Sequence, residues 1–181
     1  LFSAWREFSR GKRKRKDVML FEFNLEDQLF NLHAELKNGT YQHSHYTAFF
    51  VQDPKLRHIH KAGVKDRVLH QAIYRVLCRI FDPAFIFDSY SSRLEKGTHR
   101  AVNQLENFCR KLSHNNTTKI WALKCDIKKF FDSVNHEILM KIISRRVKDQ
   151  AALNLIQKIV ESFEKTSGIG PPTTGEARRA G

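Results

Sequence analysis

Residues 124–140, Lys-Cys-Asp-Ile-Lys-Lys-Phe-Phe-Asp-Ser-Val-Asn-His-Glu-Ile-Leu-Met, carry the pattern in this chain best suited to chemistry. An apolar run, Ile120 to Cys125, leads straight into an acid, Asp126. A tight aromatic turn follows, and Asn135 then stands where a helix N-cap would. A carboxylate at the exit of a buried strand is held by the sheet yet faces the cleft above it. That placement suits binding a divalent cation and delivering it to a phosphate. The plainer reading is that Asp126 ends a strand and Asp132 caps a turn.

The elements that must hold this segment can be read from periodicity. Residues 1–9, with Trp5 and Phe8, form a short helix. From Arg10 to Lys16, six of seven residues are Lys or Arg, either a solvated linker or a phosphate-tracking arm. Asn24 is placed to cap a helix whose face is Leu25, Leu29, Leu32 and Leu36, with Asp27 at its third position and Gly39 as its stop. Residues 46–61 read as a β-hairpin turning at Asp53-Pro54-Lys55. A helix from Arg67 to about Phe81 has the stripe Leu69, Ile73, Val76, Leu77 and Ile80, and Asp82-Pro83 ends it. Residues 87–99 are polar loop. A further helix puts Val102, Leu105, Phe108, Cys109 and Leu112 on one side, and the strand ending at Asp126 comes next. Two helices follow, one with Leu139, Ile142, Ile143 and Val147, the other with Leu153, Ile156, Val160 and Phe163. From Gly168 onward large apolar residues are scarce, and a disordered tail is expected.

Composition narrows the class of partner. The chain has 181 residues, 41% hydrophobic with fourteen Phe, enough for one real core. A formal net charge of +13 favours a polyanion, nucleic acid first among them. Cys78, Cys109 and Cys125 are scattered, which suggests buried, reduced thiols in a cytoplasmic protein rather than a zinc knuckle or disulfides. The pairs His43/His45 and His58/His60 lack a cysteine or acid at metal-ligand spacing, so they read as surface or template-side residues. No apolar run of about 18 residues suggests a membrane span.

Three ordered stretches carry a family resemblance. Asp126-Ile-Lys-Lys-Phe-Phe-Asp-Ser-Val resembles the first catalytic block of bacterial reverse transcriptases of the retron-like and group II intron-like kind. Residues 53–73 resemble the family's first finger block. Residues 81–102, with Asp88-Ser-Tyr-Ser-Ser-Arg93 and Lys96-Gly-Thr-His-Arg-Ala-Val102, are similar to the second. The Gly-Thr-His form looks most like enzymes of diversity-generating elements.

The resemblance implies a helix-rich α+β fold, the fingers and the start of the palm of a right-hand polymerase, with a finger hairpin and a catalytic palm strand. The implied division is an N-terminal helix and basic arm at 1–16, fingers at 17–115, palm at 116–167 and the tail at 168–181. Asp126 would be a ligand to two catalytic Mg²⁺ ions, Mn²⁺ being possible, with the carbonyl of Ile127 as an added ligand. Phe131 would occupy the sugar-gate position that disfavours a ribose 2′-hydroxyl; the plain alternative is packing beside Phe130. Arg57 matches the arginine that clamps the incoming dNTP, for which a planar donor fork is suited. Lys55, Lys61 and Lys65 are weaker candidates for the same task. Arg93 matches an arginine near the template and nucleotide pocket, though it could equally brace its loop. Lys12, Arg13, Lys14, Arg15 and Lys16 would track an RNA template or a DNA or RNA primer.

The family's Leu-Pro-x-Gly-Asn-x-x-Ser-Gln and Tyr-x-Asp-Asp blocks do not occur in these residues. The chain is therefore expected to be part of an RNA-directed DNA polymerase that is inactive by itself. The alternative from another class is a non-catalytic nucleic-acid-binding module.

Overall fold

A computed structural model of the chain describes residues 1–52, 54, 56–128 and 130–167, the side chains of Phe131, Asp132 and residues 163–167 excepted. The elements run α1 (Phe2–Ser9), α2 (Lys16–Phe23), α3 (Leu25–Lys37), β1 (Thr47–Gln52), β2 (Leu56–Lys61), α4 (Val64–Phe81), a 3₁₀ turn (Asp82–Ala84), α5 (Thr98–Leu112), α6 (Phe130–Ser133), α7 (His136–Arg146) and α8 (Gln150–Ser167). The fold is helix-rich, and its one described sheet is the antiparallel pair β1–β2. Among the described residues, no helix is long and apolar enough to cross a membrane.

The chain forms two compact units, and the division falls inside α4, after Val76. The first unit contains Leu1–Val76 and the described residues from Asn135 onward. Its main core joins Ala4, Trp5 and Phe8 of α1 to Val18 and Phe21 of α2, Leu29 of α3 and Val68 of α4. Trp5 is the hub, with ring centroids 5.9 Å from Phe8 and 5.3 Å from Phe21. A second cluster packs Leu32, Tyr41 and Leu69 against Leu36, Ile73, Leu155 and Ile159, which brings α8 onto α3 and α4.

Several local expectations hold, and the exceptions have physical causes. Asn135 caps α7, its side chain accepting from the Ile138 amide at 3.0 Å, as its position before the apolar period suggests. Asn24 occupies the junction before α3 without a side-chain cap bond. The reason is α2, which sequence pattern did not show: it runs to Phe23, so Asn24 ends one helix as it begins another. Gly39 stops α3 at φ +70°, a conformation costly for any residue with a Cβ. Helix α4 begins at Val64 rather than Arg67, which takes Lys65 and Asp66 into its first turn. The basic run 10–16 is exposed except for the half-buried Lys12. It is a tight turn from α1 to α2, bonded Lys12 N to Ser9 O and Arg15 N to Lys12 O at 3.0 Å each.

The second unit spans Leu77–Val134 and departs most from expectation. The anticipated strand leading to Asp126 is absent among the described residues, since 119–127 are irregular. A strand exists through its ladder, and no described segment supplies one here. Its apolar residues are accordingly uncovered: Trp121 is 87% exposed and Leu123 91%. Cys125 is exposed, contrary to the buried thiol expected, while Cys78 and Cys109 are half-buried. The stripe of α5 formed as a helix, yet Val102, Leu105, Phe108 and Leu112 are all exposed. The tail from residue 168, Asp53 and Lys55 of the hairpin turn and the side chain of Asp132 lie outside the described residues.

Because Trp5 is 2% exposed at the centre of the first unit's core, Trp5→Ala should destabilise the chain by about 3–5 kcal/mol. Urea unfolding followed by far-UV circular dichroism would show the midpoint falling, whereas Trp121→Ala, at an exposed ring, should leave it nearly unchanged.

Candidate functional site

The β1–β2 hairpin sorts its side chains by the period of two. Thr47 faces Lys61, Phe49 faces Ile59 and Val51 faces Arg57, so Arg57 and Lys61 share one face with these apolar residues. The other face carries Phe50 opposite His58, their rings stacked with centroids 4.6 Å apart, and His60 lies 4.3 Å from His58. The second His-x-His pair thus forms an aromatic cluster rather than a metal site.

The cations that the sequence marks as phosphate binders differ in what already holds them. Lys61 Nζ lies 2.7 Å from Asp17 Oδ2, an oxygen that also accepts from Arg67 at 2.5 Å. Burial works to raise the Asp17 carboxyl, but the hydrogen bonds from Lys61 and Arg67 outweigh it, so the group sits below its ordinary value of 3.8. Lys65 donates to both oxygens of Glu35 at 3.0 and 3.2 Å and lies over the Tyr41 ring. Lys12 donates to the Phe8 carbonyl at 2.9 Å and covers the Phe8 ring, and Arg13 pairs with Glu22 at 3.5 Å. Lys14, Arg15 and Lys16 are exposed, as is Arg57. Among the described residues no acid pairs with Arg57, which leaves its guanidinium available to an external anion.

Arg93 is the centre of the loop that follows α4. Its Nε donates to Asp82 Oδ1 at 2.6 Å, and its Nη2 donates to Asp82 Oδ2 and the Asp82 carbonyl at 3.2 Å each. Nη1 donates to the carbonyls of Ile86 and Ser89 at 3.1 Å. All five guanidinium protons are engaged, and the side chain braces its loop. The hydrogen bond from Arg93 holds the Asp82 carboxyl below its usual range, and the same bond raises Arg93. Lys96 closes the loop by donating to the Phe87 carbonyl at 2.8 Å, with its ammonium 3.7 Å from the Phe87 ring centroid. Gly97, at φ +106°, starts α5 in a region that L side chains rarely enter, which accounts for the glycine in Gly-Thr-His.

Asp126 and Ile127 are both exposed in the second unit. One exposed carboxylate and a neighbouring carbonyl are too few oxygens for a divalent cation, and no group of three or more His, Cys, Asp or Glu that could hold a metal occurs among the described residues. The residues present do not by themselves make a complete Mg²⁺ site. Lys55 and the ring of Phe131 lie outside the described residues, although the backbone of Phe131 is within α6.

Sequence pattern missed the acids that organise the cations. Asp66 is fully buried and accepts from the Tyr41 hydroxyl at 2.8 Å. Burial, and then this bond to Asp66, push the Tyr41 phenol far above its ordinary value. An acid set between Lys65 and Arg67, four residues before His70, is the signal that could have found it. Asp17 and Glu35 had no signal beyond charge.

A family model described as reverse transcriptase (RNA-dependent DNA polymerase) matches residues 52–175. The protein YkfC of Escherichia coli is 26% identical over 152 residues, covering 83% of this chain and 39% of that protein. The group II intron-encoded protein LtrA of Lactococcus lactis is 23% identical over 140 residues, covering 76% of this chain and 22% of its own length. Nuclear intron maturase 1 of Arabidopsis thaliana is 25% identical over 101 residues, 56% of this chain and 13% of that protein. The chain thus spans well under half the length of these relatives.

Two outcomes follow from this arrangement. The stabilisation from Asp17 is present above its unfolded value near 3.8 and is lost as pH falls through its lower folded value. Asp17→Asn should therefore flatten the acid limb of stability against pH, measured by urea midpoints across that range. Arg93→Lys keeps the charge but loses the planar fork, so cleavage between residues 83 and 97 in limited proteolysis should speed up several-fold.

Proposed function

Since the chain belongs to the reverse transcriptase (RNA-dependent DNA polymerase) family, we propose that it is the fingers and first palm segment of an RNA-directed DNA polymerase. In this reading the complete enzyme extends a DNA or RNA primer on an RNA template, joining a dNTP to the primer 3′-hydroxyl with two Mg²⁺ ions. Asp126 and the Ile127 carbonyl are the ligands this chain contributes. The remaining carboxylates come from a Tyr-x-Asp-Asp block that these residues do not contain.

The observation that carries the assignment of roles is the sorting of cations. Lys61, Lys65, Arg67 and Arg93 are held by internal acids, Lys61 and Arg67 sharing Asp17. Arg57 sits exposed on a hairpin strand with no acid partner among the described residues, and is assigned to the triphosphate of the incoming nucleotide. Its planar donor fork matches two phosphate oxygens in a fixed geometry, where a lysine offers a point charge. Lys14, Arg15 and Lys16, with Arg13 and Lys12 beside them, are assigned to the template–primer backbone. Phe131 is assigned to the sugar gate.

By themselves the 181 residues are proposed to bind nucleic acid and not to extend a primer. Two cations bracketing a phosphate need carboxylates beyond Asp126. Fluorescence anisotropy with single-stranded RNA should give an affinity that falls steeply with salt. Neutralising Arg13, Lys14, Arg15 and Lys16 together should reduce the log–log slope by about 0.7 for each phosphate these side chains had neutralised. A salt-independent affinity would overturn the binding assignment. With template, primer, dNTP and Mg²⁺ or Mn²⁺, the chain should give no extension. Fusion to a relative's palm carrying Tyr-x-Asp-Asp should restore it, and Asp126→Asn in the fusion should abolish it. Arg57→Ala in that fusion should raise KM for dNTP about tenfold or more, as expected when charged hydrogen bonds are removed, and leave RNA affinity unchanged.

A further inference from the structure

The two legs of the hairpin meet at their root in a polar cluster, with Tyr41 and Asp66 buried and His43, Tyr46 and His70 half-buried. Residues 41–46 enter β1, and residues 62–70 leave β2 and open α4. Tyr41 on the entering leg donates to Asp66 on the leaving one. His43 lies with its ring centroid 5.2 Å from that of His70 at 22°, and 4.7 Å from Tyr46 at 19°, so three rings stack across the root. Tyr46 in turn bonds Ser162 of α8 at 3.1 Å.

Three buried polar atoms in this cluster have no hydrogen-bond partner among the described residues: Asp66 Oδ2, His43 Nε2 and His70 Nε2. Chemistry fixes one tautomer. His43 Nδ1 stands 2.6 Å from the Ser44 carbonyl, which can only accept, so Nδ1 carries the proton and Nε2 of the neutral ring is a bare acceptor. Asp66 and His70 are four residues apart on one face of α4. Asp66 Oδ2 is walled by Gly63, where a Cβ would come within 3.0 Å of it. Packing and ring stacking, rather than a closed hydrogen-bond network, therefore hold this part of the root.

We propose that His43 and His70, with Asp66 and Tyr41, are positioning residues for the β1–β2 hairpin, and that proton uptake at His70, stacked on His43, loosens the hairpin root. With His70 neutral, ring stacking closes the legs. A cation formed at this half-buried ring loses part of its water, so the closed root disfavours it relative to a more open one. The groups facing the pair are few. Asp66 of α4 lies on its own helix, and Tyr46 stacks on His43. Beyond Asp66 stand Tyr41, then Lys65 and Glu35, which neutralise each other. Asp66 favours a charged His70, but burial and then His43 prevail and hold His70 below the usual histidine range. The sign follows: above the unfolded value of 6.5 the closed root carries no penalty, and it loses stability as pH falls from there toward the lower folded value.

The mechanism concerns the hairpin root and stands whether or not Arg57 meets a triphosphate. Amide hydrogen exchange, corrected for intrinsic rates, reads it on the whole chain. Protection of residues 49–51 and 57–59 should fall several-fold between about pH 7.5 and about pH 5.5, while α3 stays protected. His70→Phe keeps a ring in the stack and removes the proton site, so its hairpin protection should be flat with pH. His45→Phe, at an exposed position beside the cluster, should behave as the unmodified chain. A pH-independent hairpin in the unmodified chain overturns the proposal, as does unchanged pH dependence in His70→Phe or its loss in His45→Phe. Should His70→Phe fail to fold, NMR of the unmodified chain decides. His70 ring and hairpin amide signals titrating with one midpoint support the coupling, and separate midpoints overturn it.

Discussion

The carboxyl group of Asp66 is the constraint on which the first unit depends. It lies at 0% exposure in the first turn of α4, and it accepts from Tyr41, which belongs to the leg that enters the hairpin. A buried acid without a donor is costly, so the Tyr41 hydroxyl must stay where it is, and the chain between residues 41 and 66 returns to its starting point. That closure makes the intervening residues a hairpin of defined root. Tyr41 and Leu69 also share the cluster with Leu32, so the hydrogen bond and the apolar packing of α3 onto α4 support each other.

Around this root the acids are placed to absorb cations. Asp17 holds Lys61 and Arg67, joining α2 to the end of β2 and the start of α4. Glu35 holds Lys65, joining α3 to α4. With 32 Lys and Arg against 19 Asp and Glu, at least thirteen cations must lack an acid partner of their own or share one. The internal pairs decide which ones. Cations next to the core are paired with acids and serve the fold, whereas Arg57 and residues 14–16 are exposed with no acid partner among the described residues.

In the second unit one arginine replaces a core. Helix α5 buries none of its apolar stripe, and 119–127 has no ladder partner among the described residues, but the loop from Asp82 to Gly97 is ordered around a fully engaged guanidinium. A planar fork with five donors can gather one side chain and three carbonyls at once, which no lysine could do.

Local chemistry made several features legible in the sequence: the cap at Asn135, the stop at Gly39, the hairpin around Pro54 and the family resemblance carried by residues 53–73, 81–102 and 126–134. Each depends on neighbours close in the chain or on a fixed order of residue types. Tertiary structure alone decided the rest. The stripe of α5 has the helical period yet stays uncovered, because periodicity shows that a face is apolar and not what lies against it. Asp126 follows an apolar run that pattern reads as a strand, but a strand needs a ladder partner from elsewhere in the chain. Lys61, Lys65 and Arg93 have the same residue chemistry as free phosphate binders. Their partners Asp17, Glu35 and Asp82 lie 44, 30 and 11 positions away in sequence, and only folding brings a carboxylate within 3.2 Å of each.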